Sequence, residues 1–165
     1  MTVRRRLKEG ILHVMLVLYG YVLIKIILFK FRPVELNVFM DRMKKSLSDP
    51  DLIMWRLHNG NLTPLAEITR SVDEVSVHGL VNLFGNVLIF IPFGLLLGFL
   101  SVGRKISAGG AVLLSFALSL SLEGAQLLYM MGQFDVDDLI LNASGGWLGF
   151  MSFLMLRRVV SRVPA

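Results

Sequence analysis

Four apolar runs of membrane-spanning length constrain the fold of this chain more than any other feature of its sequence. They cover residues 11–31, 80–100, 106–131 and 139–156. A helix of about 20 apolar residues crosses the hydrocarbon core of a bilayer, because each residue adds about 1.5 Å. The runs predict an all-α integral membrane protein. We expect a four-transmembrane-helix bundle that forms a single membrane domain over residues 1–165, with a long extracytoplasmic loop over residues 32–79 between helices 1 and 2.

The composition agrees with a membrane protein and narrows the possible sites. The chain is 55% hydrophobic and 18% charged, with a mean hydropathy of +0.67, whereas about a quarter of the residues of a soluble domain are charged. There is no cysteine, which excludes a disulfide framework and a thiolate metal site. The net charge of +5 comes from basic residues at the ends of apolar runs. That distribution indicates membrane topology rather than nucleic-acid binding.

The short segments between the runs predict the orientation in the membrane. Basic residues near run ends are Arg4, Arg5, Arg6 and Lys8, then Arg104 and Lys105, and finally Arg157, Arg158 and Arg162. The turn with Asp135, Asp137 and Asp138 has no lysine or arginine. Because basic residues mark the cytoplasmic side, we expect both termini to be cytoplasmic and the acidic turn to face outward. The first run exceeds a signal-peptide core of about 7–15 residues and no cleavage site follows it, so we expect it to be retained.

The long loop contains signals for two short helices. Apolar residues recur at helical spacing over 36–47, opposite charged residues, which predicts an amphipathic helix that lies on the membrane surface or covers the bundle. Residues 48–50, with Pro50, break this pattern, and residues 61–65 read as a turn. A second helix is predicted over 71–78, with Ser71 as its N-cap.

Pro92 interrupts the second apolar run in its middle. Proline has no backbone N–H, so the carbonyl of Leu88 loses its helical partner and the helix is expected to kink. Inside a bilayer a freed carbonyl must find a donor within the protein. We therefore expect a polar partner for the carbonyl of Leu88.

An acidic stretch, residues 133–149, runs directly into the fourth apolar segment. With the predicted topology, polar side chains of three helices lie within about 12 Å of the outer edge of the bilayer. They are Asn82 and Asn86 from the second helix, Glu123 and Gln126 from the third, and Asp138 and Asn142 from the fourth. We take these six residues and Asp135 as candidate binding residues of an outward-facing polar pocket. Gly145 and Gly149, spaced by four, predict a close-packing face on the fourth helix.

Each of these residues also has a purely structural interpretation. Asp135 or Asp137 could cap the fourth helix, and the amides could serve as interhelical hydrogen-bond partners. Glu123 and Asp138 are the candidate catalytic residues. A deep ionisable group such as Glu123 is a functional candidate by default, and Asp138 shares a helix face with Asn142 and is expected to point into the bundle. His13, His58 and His78 show no metal spacing, and no nucleophile motif or phosphate loop is visible. We therefore expect no metal and no cofactor, and the sequence leans against an enzyme without excluding one.

Four blocks of sequence together resemble the VanZ-like family of small bacterial membrane proteins. They are Asn61-Leu62-x-Pro64, the stretch from Asn86 to Gly94, Glu123-x-x-Gln126, and the stretch from Phe134 to Gly146. The blocks occur in the family's order and cover about residues 61–150. Two positions depart from the family's pattern: Gln133 stands where arginine is usual, and Leu65 where phenylalanine is usual. The first departure removes the expected cationic partner of the aspartates.

The resemblance implies a multi-pass protein of the bacterial cytoplasmic membrane with a role in the cell envelope. The family is named for low-level resistance to teicoplanin, a glycopeptide that binds cell-wall precursors outside the membrane. One hypothesis is a non-enzymatic protein that binds or screens at the outer surface, with the bilayer and a glycopeptide or a lipid-linked peptidoglycan precursor as partners. A second is an intramembrane enzyme that acts on the precursor through Asp138 and Glu123. A small transporter is the third, although four spans are few and no internal repeat is visible. Nucleic acid is not an expected partner.

Overall fold

The computed structural model describes residues 3–29, 35–102 and 106–161, and every regular element in these ranges is a helix. Seven α-helices follow one another, and the first continues into a π-helical turn at Ile24–Leu28. The α-helices are α1 Val3–Leu23, α2 Leu36–Ser48, α3 Pro50–His58, α4 Ala66–Asp73, α5 Val77–Ser101, α6 Ala108–Leu128 and α7 Val136–Val160. The all-α prediction is therefore confirmed.

Four of these helical segments are long and apolar enough to cross a membrane, as predicted. They are Arg6–Leu28, Gly79–Ser101, Ala108–Leu128 and Val136–Val160. The third is shorter than the predicted 106–131, because Tyr129 already leaves helical geometry and Met130 adopts a left-handed φ of 52°. The predicted end of the first span at Phe31 lies outside the described residues, and so do Arg104, Lys105 and Arg162.

Helices α5 and α7 approach each other closely through glycines, which confirms the predicted packing face. A Cβ atom added to Gly145 would lie 2.2 Å from the carbonyl oxygen of Val87, and one added to Gly149 would lie 2.0 Å from that of Ile91. Backbone contact of this kind provides the van der Waals packing that joins helices in lipid, where no hydrophobic force drives them together. The surrounding core contains Leu23, Phe90, Phe93, Leu97, Ala111, Leu122 and Phe150.

Pro92 lies inside α5, but the polar side chain found near it contacts a different carbonyl from the predicted one. The hydroxyl of Tyr19 on α1 donates a 2.6 Å hydrogen bond to the carbonyl of Ile89. The prediction had named the carbonyl of Leu88, whose side chain is 61% exposed on the outside of the bundle. The contact therefore joins α1 to α5 on the inner face of the helix, where a donor can be supplied by protein.

The first of the two predicted loop helices is confirmed and the second is wrong. Helix α2 covers the amphipathic pattern, and Asp49 then caps α3 by accepting from Leu52 N at 3.1 Å. Ser71 does not start a helix, because it lies in the middle of α4. Instead Ser76 caps α5 by accepting from Gly79 N at 3.1 Å, after a left-handed Val75 has separated the two helices.

The loop helices α2 and α3 cover the C-terminal end of α6. Backbone carbonyls at a helix end have no helical partners, and each needs a donor. Here the carbonyl of Leu128, the last residue of α6, accepts from Ser46, and the carbonyls of Met130 and Gly132 just beyond the helix accept from Arg42 and Arg56, respectively. The ring of Phe39 on α2 also stacks on Tyr129, with centroids 3.7 Å apart. The loop is thus fixed to the same end of the bundle as the acidic turn.

Candidate functional site

A cavity of about 900 Å³ lies between α4, the first half of α5, the π-helical turn and the segment that joins α6 to α7. Five of the seven predicted binding residues line it, namely Asn82, Asn86, Gln126, Asp135 and Asp138. The other two, Glu123 and Asn142, do not line it and are 1% and 2% exposed. The wall from α4 was missed, because the sequence placed the start of this helix at the wrong residue.

Asn86 and Asp138 join α5 to α7 at the edge of the cavity. The Nδ2 group of Asn86 donates to Oδ1 of Asp138, and both residues are half-buried. Asn142, one turn further along α7, has a different environment, because its Nδ2 donates to Oγ of Ser119 on α6 at 2.8 Å. Asp138 and Asn142 thus share one face of α7, as predicted, but contact different helices.

Glu123 and Gln126 connect α6 to other parts of the bundle. The carboxylate of Glu123 accepts from the backbone N–H of Asp135 at 3.2 Å. The Nε2 group of Gln126 donates to the carbonyl of Ile27 in the π-helical turn at 3.1 Å. Gln126 also lines the cavity, whereas Glu123 is behind its wall. Glu123 thus holds the start of α7 against α6, and Gln126 holds the π-helical turn against α6.

Asp135 is the N-cap of α7, as one interpretation of the sequence predicted. Its Oδ1 accepts from the backbone N–H of Asp137 at 2.8 Å and from Nδ2 of Asn61 at 2.8 Å. Asp135 also lines the cavity. The cap therefore does not remove Asp135 from the candidate site, since the same carboxylate does both.

Asp137 does not cap the helix that contains it, and this role was not anticipated. Its side chain is 1% exposed. The carboxylate accepts from the backbone N–H groups of Leu65, Glu67 and Ile68 at 2.5, 2.8 and 3.2 Å, and from Nδ2 of Asn61 at 3.2 Å. Asp137 therefore caps α4 from another helix. The only sequence signal for this contact was that the Asn61 block and the acidic block both belong to the family pattern.

The chain around Asn61 lies directly against the start of α7. Asn61 forms an isolated parallel bridge with Asp135: its N–H donates to the carbonyl of Phe134, and its carbonyl accepts from Val136 N, both at 2.9 Å. A Cβ atom added to Gly60 would lie 2.4 Å from the carbonyl oxygen of Phe134, so only glycine fits there. We call Asn61, Leu65, Asp135 and Asp137 the α4–α7 junction.

The cavity is rich in hydrogen-bond acceptors and negative charge. Its carboxylates are those of Glu67, Glu74, Asp135 and Asp138. The one arginine among the described lining residues, Arg70, already pairs with Glu67 at 2.5 Å. Among the described side chains, which do not include that of His78, no group of three histidine, cysteine or acidic residues is arranged to hold a metal ion.

Comparison with known proteins places the chain in a family. The family model for VanZ/LLP1 matches residues 16–157. The chain belongs to the VanZ/LLP1 family. Protein VanZ of Enterococcus faecium is 34% identical over 137 residues, which cover 82% of this chain and 68% of that protein. No solved structure matches.

The four VanZ-like blocks of the sequence meet at one end of the bundle. Asn61 contacts Asp135 and Asp137, and Asn86 contacts Asp138. Glu123 accepts from the backbone of Asp135, so the third block also reaches the fourth. The family resemblance, confirmed over most of the chain, therefore coincides with the junction and the edge of the cavity. Although Gln133 replaces the arginine that is usual in the family, Asp135 and Asp137 do not need a cationic partner here, because both accept hydrogen bonds from N–H donors.

Proposed function

We propose that this chain is a non-enzymatic protein of the bacterial cytoplasmic membrane that lowers the action of teicoplanin-class glycopeptides. The cavity beside the α4–α7 junction is its binding site, and it faces the outside of the cell. The observation that carries the proposal is the convergence of the family's sequence blocks on the edge of this one cavity. Both termini are cytoplasmic in this proposal, since the basic residues gather at that side.

The charge of the cavity favours a glycopeptide over a lipid-linked precursor held by its phosphates. Four carboxylates and one paired arginine line the described part of the cavity, so its charged groups are mainly hydrogen-bond acceptors. A peptide offers N–H donors to such a surface. A pyrophosphate offers only acceptors and negative charge, which the carboxylates repel. We therefore assign the peptide part of a glycopeptide as the ligand.

The positions of the two candidate catalytic acids support a binding role rather than catalysis. A general acid or base must lie within hydrogen-bond reach of the reacting group. Asp138 lines the cavity, but Glu123 is 1% exposed behind the wall and accepts from Asp135 N. A substrate in the cavity could therefore contact Asp138 but not Glu123.

The decisive test measures the teicoplanin concentration that inhibits a drug-sensitive bacterial host expressing the chain. We expect expression to raise it and Asp138→Asn to lower it again. A charged acceptor contributes about 1.5–3 kcal/mol per hydrogen bond and a neutral one about half, so glycopeptide binding should weaken about tenfold. Glu123→Gln keeps an acceptor for Asp135 N and should retain resistance. The exposed Asp41→Asn on α2 is the matched control.

Two outcomes would contradict the proposal. If the wild-type chain accumulates in the membrane without changing teicoplanin susceptibility, the resistance function fails. If Glu123→Gln abolishes resistance at a normal membrane level, as Asp138→Asn does, the enzymatic alternative is favoured instead. Immunodetection of a tag in the membrane fraction gives the level for every variant.

A further inference from the structure

Helix α4 has no N-cap of its own. The first N–H groups of a helix need acceptors, which a serine, threonine, aspartate or asparagine at the N-cap normally supplies. In α4 that position is Leu65, which has no side-chain acceptor and adopts a left-handed φ of 68°. The acceptor is instead the carboxylate of Asp137, more than sixty residues later in the chain.

Helix α4 packs against the start of α5 without burying any of its residues completely. The helix has eight residues and none of them is buried. A helix of this length is marginal by itself in water, since nucleation is unfavourable and most helical stability comes from tertiary packing. Its hydrogen bonds to Asp137 are therefore a principal attachment to the bundle.

Asp137 is suited to this role because its environment consists of donors. A buried charge is costly unless it is hydrogen-bonded. Its Oδ2 alone accepts from Asn61, Glu67 and Ile68, while its Oδ1 accepts from Leu65. Asp137 also lies at the N-terminal ends of both α4 and α7, where helix dipoles favour negative charge.

We infer that Asp137 is a positioning residue that holds α4 as one wall of the cavity. Asp137 does not itself line that cavity, whereas Glu67, Arg70 and Ser71 of α4 and Glu74 at its C-cap do. Loss of the attachment removes four polar side chains from the wall at once. The structural half of the inference, that Asp137 holds α4 in position, does not depend on the proposed function. The half that links α4 to glycopeptide binding rests on the proposed function.

The structural half is tested with spin labels at two introduced cysteines. The chain contains no cysteine of its own, so labelling is specific. Val72 on α4 and Leu88 on α5 are 55% and 61% exposed and lie outside the cavity lining. We expect the distance between labels at Val72→Cys and Leu88→Cys to have one narrow distribution in detergent micelles.

Asp137→Asn should broaden this distribution and move it to longer distances. In either orientation of the new amide, its NH₂ group replaces an acceptor, so it faces the three donors at Oδ2 or the Leu65 N–H at Oδ1 and can accept from none of them. Asp73→Asn is the matched control, because it removes the same charge from an exposed position at the end of α4. The inference is overturned if Asp137→Asn leaves the distribution unchanged, or if Asp73→Asn broadens it equally.

Resistance to teicoplanin then tests the functional half with the same variants. We expect Asp137→Asn to lose resistance and Asp73→Asn to keep it. A broadened distribution with full resistance would overturn the link between α4 and binding. If the wild-type chain gives no resistance, the proposed function fails, and the distances alone decide whether Asp137 positions α4. Should Asp137→Asn not accumulate, Asn61→Ala, which removes one donor of the four, must broaden the distribution for the inference to stand.

Discussion

Asp137 and Asn142 are both buried polar residues of α7, yet they are satisfied in opposite ways. Asp137 is 1% exposed and accepts hydrogen bonds from four donors of the loop. Asn142 is 2% exposed and donates to Ser119, but within the described ranges its Oδ1 has no partner. One residue fixes an irregular backbone, whereas the other lies between two regular helices whose backbone groups are already paired.

The region around Asn142 is organised by small side chains rather than by hydrogen bonds. A Cβ atom added to Gly146 of α7 would lie 1.9 Å from Oγ of Ser115 on α6. Ser115 is fully buried, and its hydroxyl also lacks a partner in the described part of the chain. Ser115 therefore contributes to the packing of α6 on α7 through its small size rather than through a hydrogen bond. The two regions therefore differ. At the junction polar groups fix the loop, whereas in the middle of the bundle small polar residues permit close approach of the helices.

The largest expected effect concerns the close approach of α5 and α7. Gly149→Ala would place a Cβ atom 2.0 Å from the carbonyl oxygen of Ile91, and a backbone atom cannot move aside alone. Overpacking costs about 1–3 kcal/mol and occasionally more, and we expect a loss of stability at the upper end of that range. The free energy of unfolding, measured by SDS titration in detergent micelles, gives the size of the loss.

Gly124→Ala is the matched control for this substitution. Gly124 is also within a transmembrane helix, but no atom lies within 4 Å of an added Cβ. It should be neutral or slightly stabilising, because alanine has the higher helix propensity. If Gly149→Ala and Gly124→Ala lower the free energy of unfolding equally, close packing at Gly149 does not stabilise the middle of the bundle. The contrast with the junction would then fail.

The membrane spans could be predicted from the sequence because the bilayer imposes a local rule. A spanning helix must make its backbone hydrogen bonds within itself and expose apolar side chains to the lipid. The helical structure of each run can therefore be predicted from that run alone. The cap of α7 was equally local, since Asp135 bonds to a backbone group two residues away. These features need no knowledge of any other part of the chain.

Helix α4 and its attachment could not be predicted, because the signal is not local. Ser71, followed three residues later by Glu74, resembles a capping box, although it lies inside the helix. The true N-cap, Leu65, offers no signal, and its acceptor Asp137 comes from another helix. The different partners of Asp138 and Asn142 were also missed, because a shared helix face does not show which neighbouring helix each side chain contacts.

A gain in stability of intermediate size is expected at the junction. Leu65 has a left-handed φ of 68°, a conformation that costs a residue other than glycine about 1–3 kcal/mol. Leu65→Gly removes this strain but adds about 0.5–1 kcal/mol of backbone entropy cost, so we expect a net gain of about 1 kcal/mol. The same SDS titration measures it.

Two further variants show whether Asp137 imposes that strain. Leu62→Gly, at a neighbouring exposed leucine whose φ is not positive, should bring no gain. In an Asp137→Asn background the gain from Leu65→Gly should shrink, because a released loop lets Leu65 relax. Purely additive effects of the two substitutions would indicate that the backbone strain and the carboxylate are independent.

The smallest expected effect is the coupling between Ser119 and Asn142. Interhelical hydrogen bonds in membrane proteins contribute about 0.6 kcal/mol on average, and the 2.8 Å bond from Asn142 Nδ2 to Ser119 Oγ should show a coupling of about that size. A double-mutant cycle of Ser119→Ala and Asn142→Ala measures it. If Asn142 only joins the helices, Asn142→Ala keeps teicoplanin resistance. Loss of resistance at a normal membrane level, with no coupling to Ser119, would instead make Asn142 a functional residue, and its unpaired Oδ1 would then be the group that acts.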